Sequence, residues 1–238
     1  TGTIIDKSTR VQKKVATEWH QLVGAQSIEE VTPNRWRMFT DTDRDRLKIP
    51  FGHELKTGDI QYLDIKEGAE FGAGPHGMLI GTTGSGKSEY FLSLCSGIAL
   101  THSPESFIVI FVDMKFESAA QDLQGFPHVA GSLSNLGKDD RHLAERMRKA
   151  INGEIARRYR LFKEAGARDA NEYEEMRLAG RDLEPVPILL VIIDEYLELF
   201  HHHPDWIDLV IHIGQEGRGC NVFFTLGGQR LDLSSLSK

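Results

Sequence analysis

Gly81-Thr82-Thr83-Gly84-Ser85-Gly86-Lys87-Ser88 decides the reading of this 238-residue chain. It matches G-x-x-x-x-G-K-[ST] at every defined position. The short apolar run Met78–Ile80 precedes it and reads as a buried strand. A helical pattern, Glu89–Leu100, follows and stops at Ser103-Pro104. Strand, glycine loop and helix in that order form a phosphate-binding loop. The glycines let successive backbone N–H groups turn inward around phosphate oxygens. The helix aims its positive end at the same oxygens. Lys87 adds a full charge toward the β- and γ-phosphates, and the Ser88 hydroxyl is a candidate Mg²⁺ ligand. Gly81, Thr82, Thr83, Gly84, Ser85, Gly86, Lys87, Ser88 and Glu89 are thus the expected nucleotide contacts.

Outward from the loop, the hydrophobic periods alternate. Phe107–Val112, Ile188–Ile193 and Val222–Leu226 are unbroken apolar runs, the pattern of strands covered on both faces. Between them lie helical patterns at Asp139–Phe162, with Leu143, Met147, Ile151, Ile155, Tyr159 and Phe162 on one stripe, at Asn171–Leu178, and at Trp206–Ile213, closing near Gly217 and Gly219. Strands alternating with helices predict an α/β fold whose sheet is mostly parallel and flanked by helices. Ahead of this core, Ile49–Phe51 and Ile60–Ile65 flank Thr57-Gly58-Asp59 as a hairpin. Val11–Val23 has near-helical spacing, and Asp41–Arg46 reads as loop. The expected division is an annex at 1–50 and a core at 51–238.

The second chemical signal is Asp194-Glu195, directly after Ile188–Ile193. Acids that leave a buried strand emerge at its C-terminal edge, where open α/β sheets bind ligands. Asp194 is placed to hold Mg²⁺, and Glu195 to orient or deprotonate the attacking water. Gln229 follows the last strand through Gly227-Gly228 and suits a γ-phosphate sensor. Asp113 ends another strand and can face the same cleft. Arg218, read as lying in a loop ahead of the last strand, suits the γ-phosphate of a neighbouring subunit. ATP and Mg²⁺ are the implied ligands.

Composition bounds the alternatives. Net charge is −7, with 40% apolar and 26% charged residues. An acidic chain lacks the broad basic face on which duplex binding usually rests. A local basic stretch remains on the long helix: Arg141, Arg146, Arg148, Lys149, Arg157, Arg158, Arg160 and Lys163. Its preferred reading is the solvated face of an amphipathic helix rather than a nucleic-acid or subunit contact. No run approaches the roughly 18 apolar residues of a membrane span, and no secretory leader is seen. Cys95 and Cys220 are distant in sequence and form no disulfide or zinc pattern, so they read as buried small hydrophobes in a reducing compartment. His201-His202-His203 reads as a solvated helix end. Trp19 and Trp36 are expected to pack within the annex. The start at Thr1, together with the stop at Lys238 soon after the sensor strand, leads to the expectation of a segment cut from a longer chain.

Taken together, these stretches resemble a family. Pro75–Ile80 running into GTTGSGKSE resembles the FtsK/SpoIIIE class of translocating ATPases, P-loop NTPases of the ASCE/RecA-like kind. VDMKFESAAQDL (Val112–Leu123), LVIIDEYLELF (Leu190–Phe200), IGQEGRG (Ile213–Gly219) and LGGQRLDLSSL (Leu226–Leu236) are similar to the first ATPase domain of EccC-type proteins of actinobacterial type VII (ESX) secretion systems. The resemblance implies a motor at the cytoplasmic face of the cell membrane, tandem ATPase domains and homo-hexamers with nucleotide sites at subunit borders. It also implies membrane components of the secretion complex and small helical WXG-type proteins as exported partners. It assigns Lys87 and Ser88 to nucleotide and Mg²⁺, Asp194 and Glu195 to metal and water, Gln229 to the sensor, and Arg218, by a looser match, to the arginine serving the next subunit. Two alternatives stay open: a DNA translocase, and a nucleotide-binding regulatory domain with little turnover.

Overall fold

A computed structural model describes residues 18–31, 36, 47–54, 56–66, 72–114, 123, 125–134 and 141–230. The sheet strands are β3 (Gly77–Ile80), β4 (Phe107–Asp113), β5 (Val129–Ser134), β6 (Ile188–Asp194) and β7 (Val222–Gly228). They lie in the order β3-β7-β6-β4-β5, and every pairing is parallel. The helices are α1 (Lys87–Thr101), α2 (Arg141–Ala165), α3 (Ala170–Leu178), α4 (Tyr196–His202) and α5 (Asp205–Cys220). The expected α/β class is the observed one. β1 (Lys48–His53) and β2 (Ile60–Asp64) form the antiparallel hairpin, with a register shift between Pro50 and Gly52.

β6 shows why the sheet is central. All seven of its residues are buried. Leu189, Val191 and Ile193 pack with α2, α4 and α5 residues such as Ile151, Leu199 and Ile213. Ile188, Leu190 and Ile192 pack on the other face with Phe91, Leu94 and Ile98 of α1 and with Leu47 and Ile49. Each such aliphatic side chain contributes roughly 1.5–3 kcal/mol when removed from water. An uninterrupted apolar strand is therefore stable only between two helical layers.

Several expectations change. Met78–Ile80 is a strand but not a buried one: among the described residues β3 is the sheet edge, pairing only with β7, and Met78 and Ile80 are exposed. β5 is a strand that the sequence does not announce, because its residues VAGSLS carry too little apolar alternation. Arg218 lies in the last turn of α5, not in a loop. The glycines near it do not end the helix, and Gly217 lets it approach β7. A Cβ on Gly217 would sit 2.0 Å from the Val222 carbonyl oxygen. The helix ends instead at Asn221, whose left-handed backbone (φ 55°) lets its N–H reach Gly217 O. Finally, the cations of α2 are not one solvated face. Arg158 is fully buried, Arg148 pairs with Glu145, and Arg157 pairs with Glu154 and Glu184. The Arg148 guanidinium holds the Glu145 carboxyl down to about 2.

Other readings meet the structure as expected. His201 and His202 are exposed at the end of α4, and both cysteines are buried thiols. The tryptophans depart from the expected packing within the annex: the Trp36 indole donates to Ala99 O of α1 (3.1 Å) and lies edge-on against His128, both in the core, and Trp19 is exposed. Residues 11–17 of the first helical pattern and the loop 41–46 lie outside the described residues.

Candidate functional site

Parallel strands place their C-terminal ends on one edge, so Ile80, Asp113, Asp194 and Gly228 share a rim. Gly81 N donates to Gly228 O at 3.0 Å, tying the phosphate loop to the end of β7. Gly84 and Gly86 take positive φ values of 78° and 92°, which L side chains rarely adopt. That local requirement turns the chain sharply between β3 and α1. No side chain caps the start of α1, so its first N–H groups and its dipole remain directed at the loop, as anion binding requires. Residues 82–86 are exposed above Lys87, which is buried.

The Lys87 ammonium donates to Gly81 O at 2.9 Å and lies 3.6 Å from Glu195 Oε1. Gln229 Nε2 donates to the same Glu195 oxygen at 3.2 Å. Lys87 stands more than a hundred residues before Glu195, and Gln229 lies 34 residues after it, yet all three meet around one carboxylate. Glu195 caps the start of α4 with left-handed backbone (φ 55°, ψ 51°), a conformation uncommon outside glycine and asparagine. Its N–H donates to Asp194 Oδ1 at 2.9 Å, so the two acids are aimed by one tight turn. Asp194 and Glu195 are both buried. Asp113 stands in register with Asp194 on the neighbouring strand and is also buried.

Two contacts were beyond sequence reasoning. The ring of Phe91 and Asp194 Oδ1 close around Gly227, where a Cβ would meet them at 2.8 and 2.7 Å. Tyr196 packs against Gly228 in the same way, and its hydroxyl donates to Arg230 O at 3.3 Å. The only signal was the pair of glycines before Gln229. Arg218 stands apart: it is at the α5–β7 junction, the opposite edge of the sheet from the loop.

Among the described residues no three His, Cys, Asp or Glu side chains cluster as a metal site. The donors here, one hydroxyl (Ser88) and the Asp194 carboxylate, suit Mg²⁺, which takes few protein ligands and completes its octahedron with waters and substrate phosphates.

A strand–loop–helix with its lysine against an acid pair, in a parallel sheet whose edge strand β3 is separated from the acid strand by β7, defines a P-loop nucleotide-binding protein. The chain belongs to the FtsK/SpoIIIE family, whose model matches residues 30–232. It is 53% identical over 97% of its length to the ESX-1 secretion system protein EccCa1 of Mycobacterium tuberculosis, and spans 32% of that relative. It is also similar to the cytoplasmic domain of the type VII secretion ATPase EccC of Thermomonospora curvata, at TM-score 0.83 and 36% identity over 92% of this chain and 26% of that one. ATPases 2 and 3 of the same protein, solved with a signal sequence peptide, share the fold (TM-score 0.65, 20% identity, over 84% of this chain and 35% of that one). The chain thus spans about a third or less of the secretion proteins it resembles. Among the described residues, no helix is long and apolar enough to cross a membrane.

Proposed function

We propose that this chain is an ATP-hydrolysing motor domain of a type VII secretion translocase, acting on the cytoplasmic side of the membrane. The observation that carries the reading is the 3.6 Å approach of Lys87 to Glu195, which brings the phosphate loop and the acid pair to one site. In the mechanism, the loop amides, the α1 N-terminus and Lys87 hold the triphosphate. Lys87 exchanges its contacts with Gly81 O and Glu195 for phosphate oxygens. Glu195 then accepts a proton from the attacking water, while the Gln229 amide fixes its orientation. Ser88 and Asp194 would hold Mg²⁺, which when bound would offset the negative charge of the phosphates. Arg218 serves a neighbouring copy in a hexamer.

The secretion relatives, one of them solved as ATPases 2 and 3 with a signal sequence peptide, support an exported protein as cargo and tandem ATPase domains as neighbours; the cargo in this proposal is small helical WXG-type proteins, and membrane components of the secretion complex are the further partners. DNA as cargo has less support: four of the eight cations on α2 (Arg148, Lys149, Arg157 and Arg158) are engaged within the fold by Glu145, Glu154 and Glu184. The test is a pair of variants. Glu195→Gln is expected to keep ATP binding and lower kcat by roughly 10²–10⁴-fold, the range for losing a general base, while Lys87→Ala loses binding. Turnover of Glu195→Gln at the unmodified rate would refute the proposal.

A further inference from the structure

The C-terminal turn of α5, Glu216 to Cys220, is held from outside by two consecutive residues of α2. Arg158, with no exposed surface, donates through Nη1 to Cys220 O at 2.8 Å and to Asn221 O at 3.0 Å. Its Nε is tethered to Glu154 Oε1 at 2.8 Å. Tyr159 Oη lies 3.1 Å from Glu216 O and 3.0 Å from Glu216 Oε2 and donates to that pair. These contacts bracket Arg218, two residues before it and two and three after.

Arg218 is remote from its own chain's nucleotide site. β7 runs seven residues from this turn to the phosphate-loop rim, roughly 20 Å at about 3.3 Å per residue. Whatever phosphate Arg218 touches belongs to another copy. The turn needs no buried guanidinium for helix termination, because Asn221 already caps it. Burying a charge is costly: desolvation pulls the Arg158 pKa down, against the opposing pull of Glu154. A rigid double clamp at such a cost fits a demand for placement. Reactive groups displaced by about 1 Å lose on the order of 10²-fold in rate.

We propose that Arg158 and Tyr159 are positioning residues for Arg218, setting the register in which the α5 end meets the nucleotide of a neighbouring copy. This rests on the reading of Arg218 given above. The experiment measures kcat and KM for ATP on the 238-residue chain, over rising protein concentration so that assembly registers as turnover per chain. It compares the unmodified chain with Tyr159→Phe, Arg218→Ala and the double variant. Tyr159→Phe removes one hydroxyl from a half-buried ring, and its thermal midpoint verifies that the chain folds. Arg218→Ala is expected to lose on the order of 10³-fold in kcat. Tyr159→Phe is expected to lose roughly 10-fold in kcat with KM unchanged, and to lose nothing further in the Arg218→Ala background. A native kcat in Arg218→Ala removes the underlying role of Arg218. A Tyr159→Phe loss that multiplies with Arg218→Ala, or no loss at all beside an impaired Arg218→Ala, overturns the positioning role alone.

Discussion

Gly227→Ala adds one methyl at the point where β7, α1 and the acid pair converge. Its Cβ would lie 2.7 Å from Asp194 Oδ1 and 2.8 and 2.9 Å from two ring atoms of Phe91. Relief requires movement of several tenths of an ångström. Phe91 is fully buried and rests edge-on against Phe111, so the ring has little room to retreat. Overpacking of this kind costs about 1–3 kcal/mol, which for a domain of this size lowers Tm by roughly 2–12 °C. The part of the strain that falls on Asp194 is transmitted to Glu195, whose N–H it accepts, so turnover is expected to fall more than about 10-fold. Gly153→Ala provides the contrast. It lies within α2, where a Cβ meets nothing within 4 Å. Replacing a helical glycine there should gain about 0.5–1 kcal/mol and raise Tm by roughly 1–4 °C. Thermal unfolding by circular dichroism and phosphate release by both variants make the comparison. A Gly227→Ala chain with native Tm and turnover, or a Gly153→Ala chain destabilised as much, would show that the packing argument is wrong.

Two further outcomes are expected. Gln229→Leu removes the donor that orients Glu195; a hydrogen bond to a charged group contributes about 1.5–3 kcal/mol, so kcat should fall roughly 10–100-fold with nucleotide affinity intact, and a loss of affinity instead would place Gln229 on the phosphates. Burial pushes the Cys95 thiol up to about 12 from an ordinary value near 9. The unfolded chain therefore releases this proton first as pH rises, and the native state loses stability between about pH 9 and 12. Denaturant titrations across that window should show a slope that Cys95→Ala flattens; an unchanged slope assigns the loss to other groups.

Local chemistry was legible in the residues alone. The loop Gly81–Ser88 announces its own turn, because positive φ at Gly84 and Gly86 and a helix start at Lys87 are properties of neighbouring residues. The apolar runs that became β4, β6 and β7 likewise announce burial on both faces, since no other environment accommodates them. What neighbours in sequence could not determine is which run lies at the edge and which in the middle. Met78–Ile80 is as apolar as the central strands, yet it forms the rim of the sheet. β5, nearly devoid of large apolar residues, is a strand only because β4 offers it a ladder. Gly217 and Gly219 look like a helix stop in one dimension, yet both lie inside α5, and Gly217 is where the helix closes on β7. Meeting points depend on chain segments far apart in sequence: Lys87, Glu195 and Gln229 around one carboxylate, and Arg158 and Tyr159 on either side of Arg218. Periodicity and propensity act over a few residues, whereas these distances are set by strand order and by the packing of α1, α2 and α5 on the sheet.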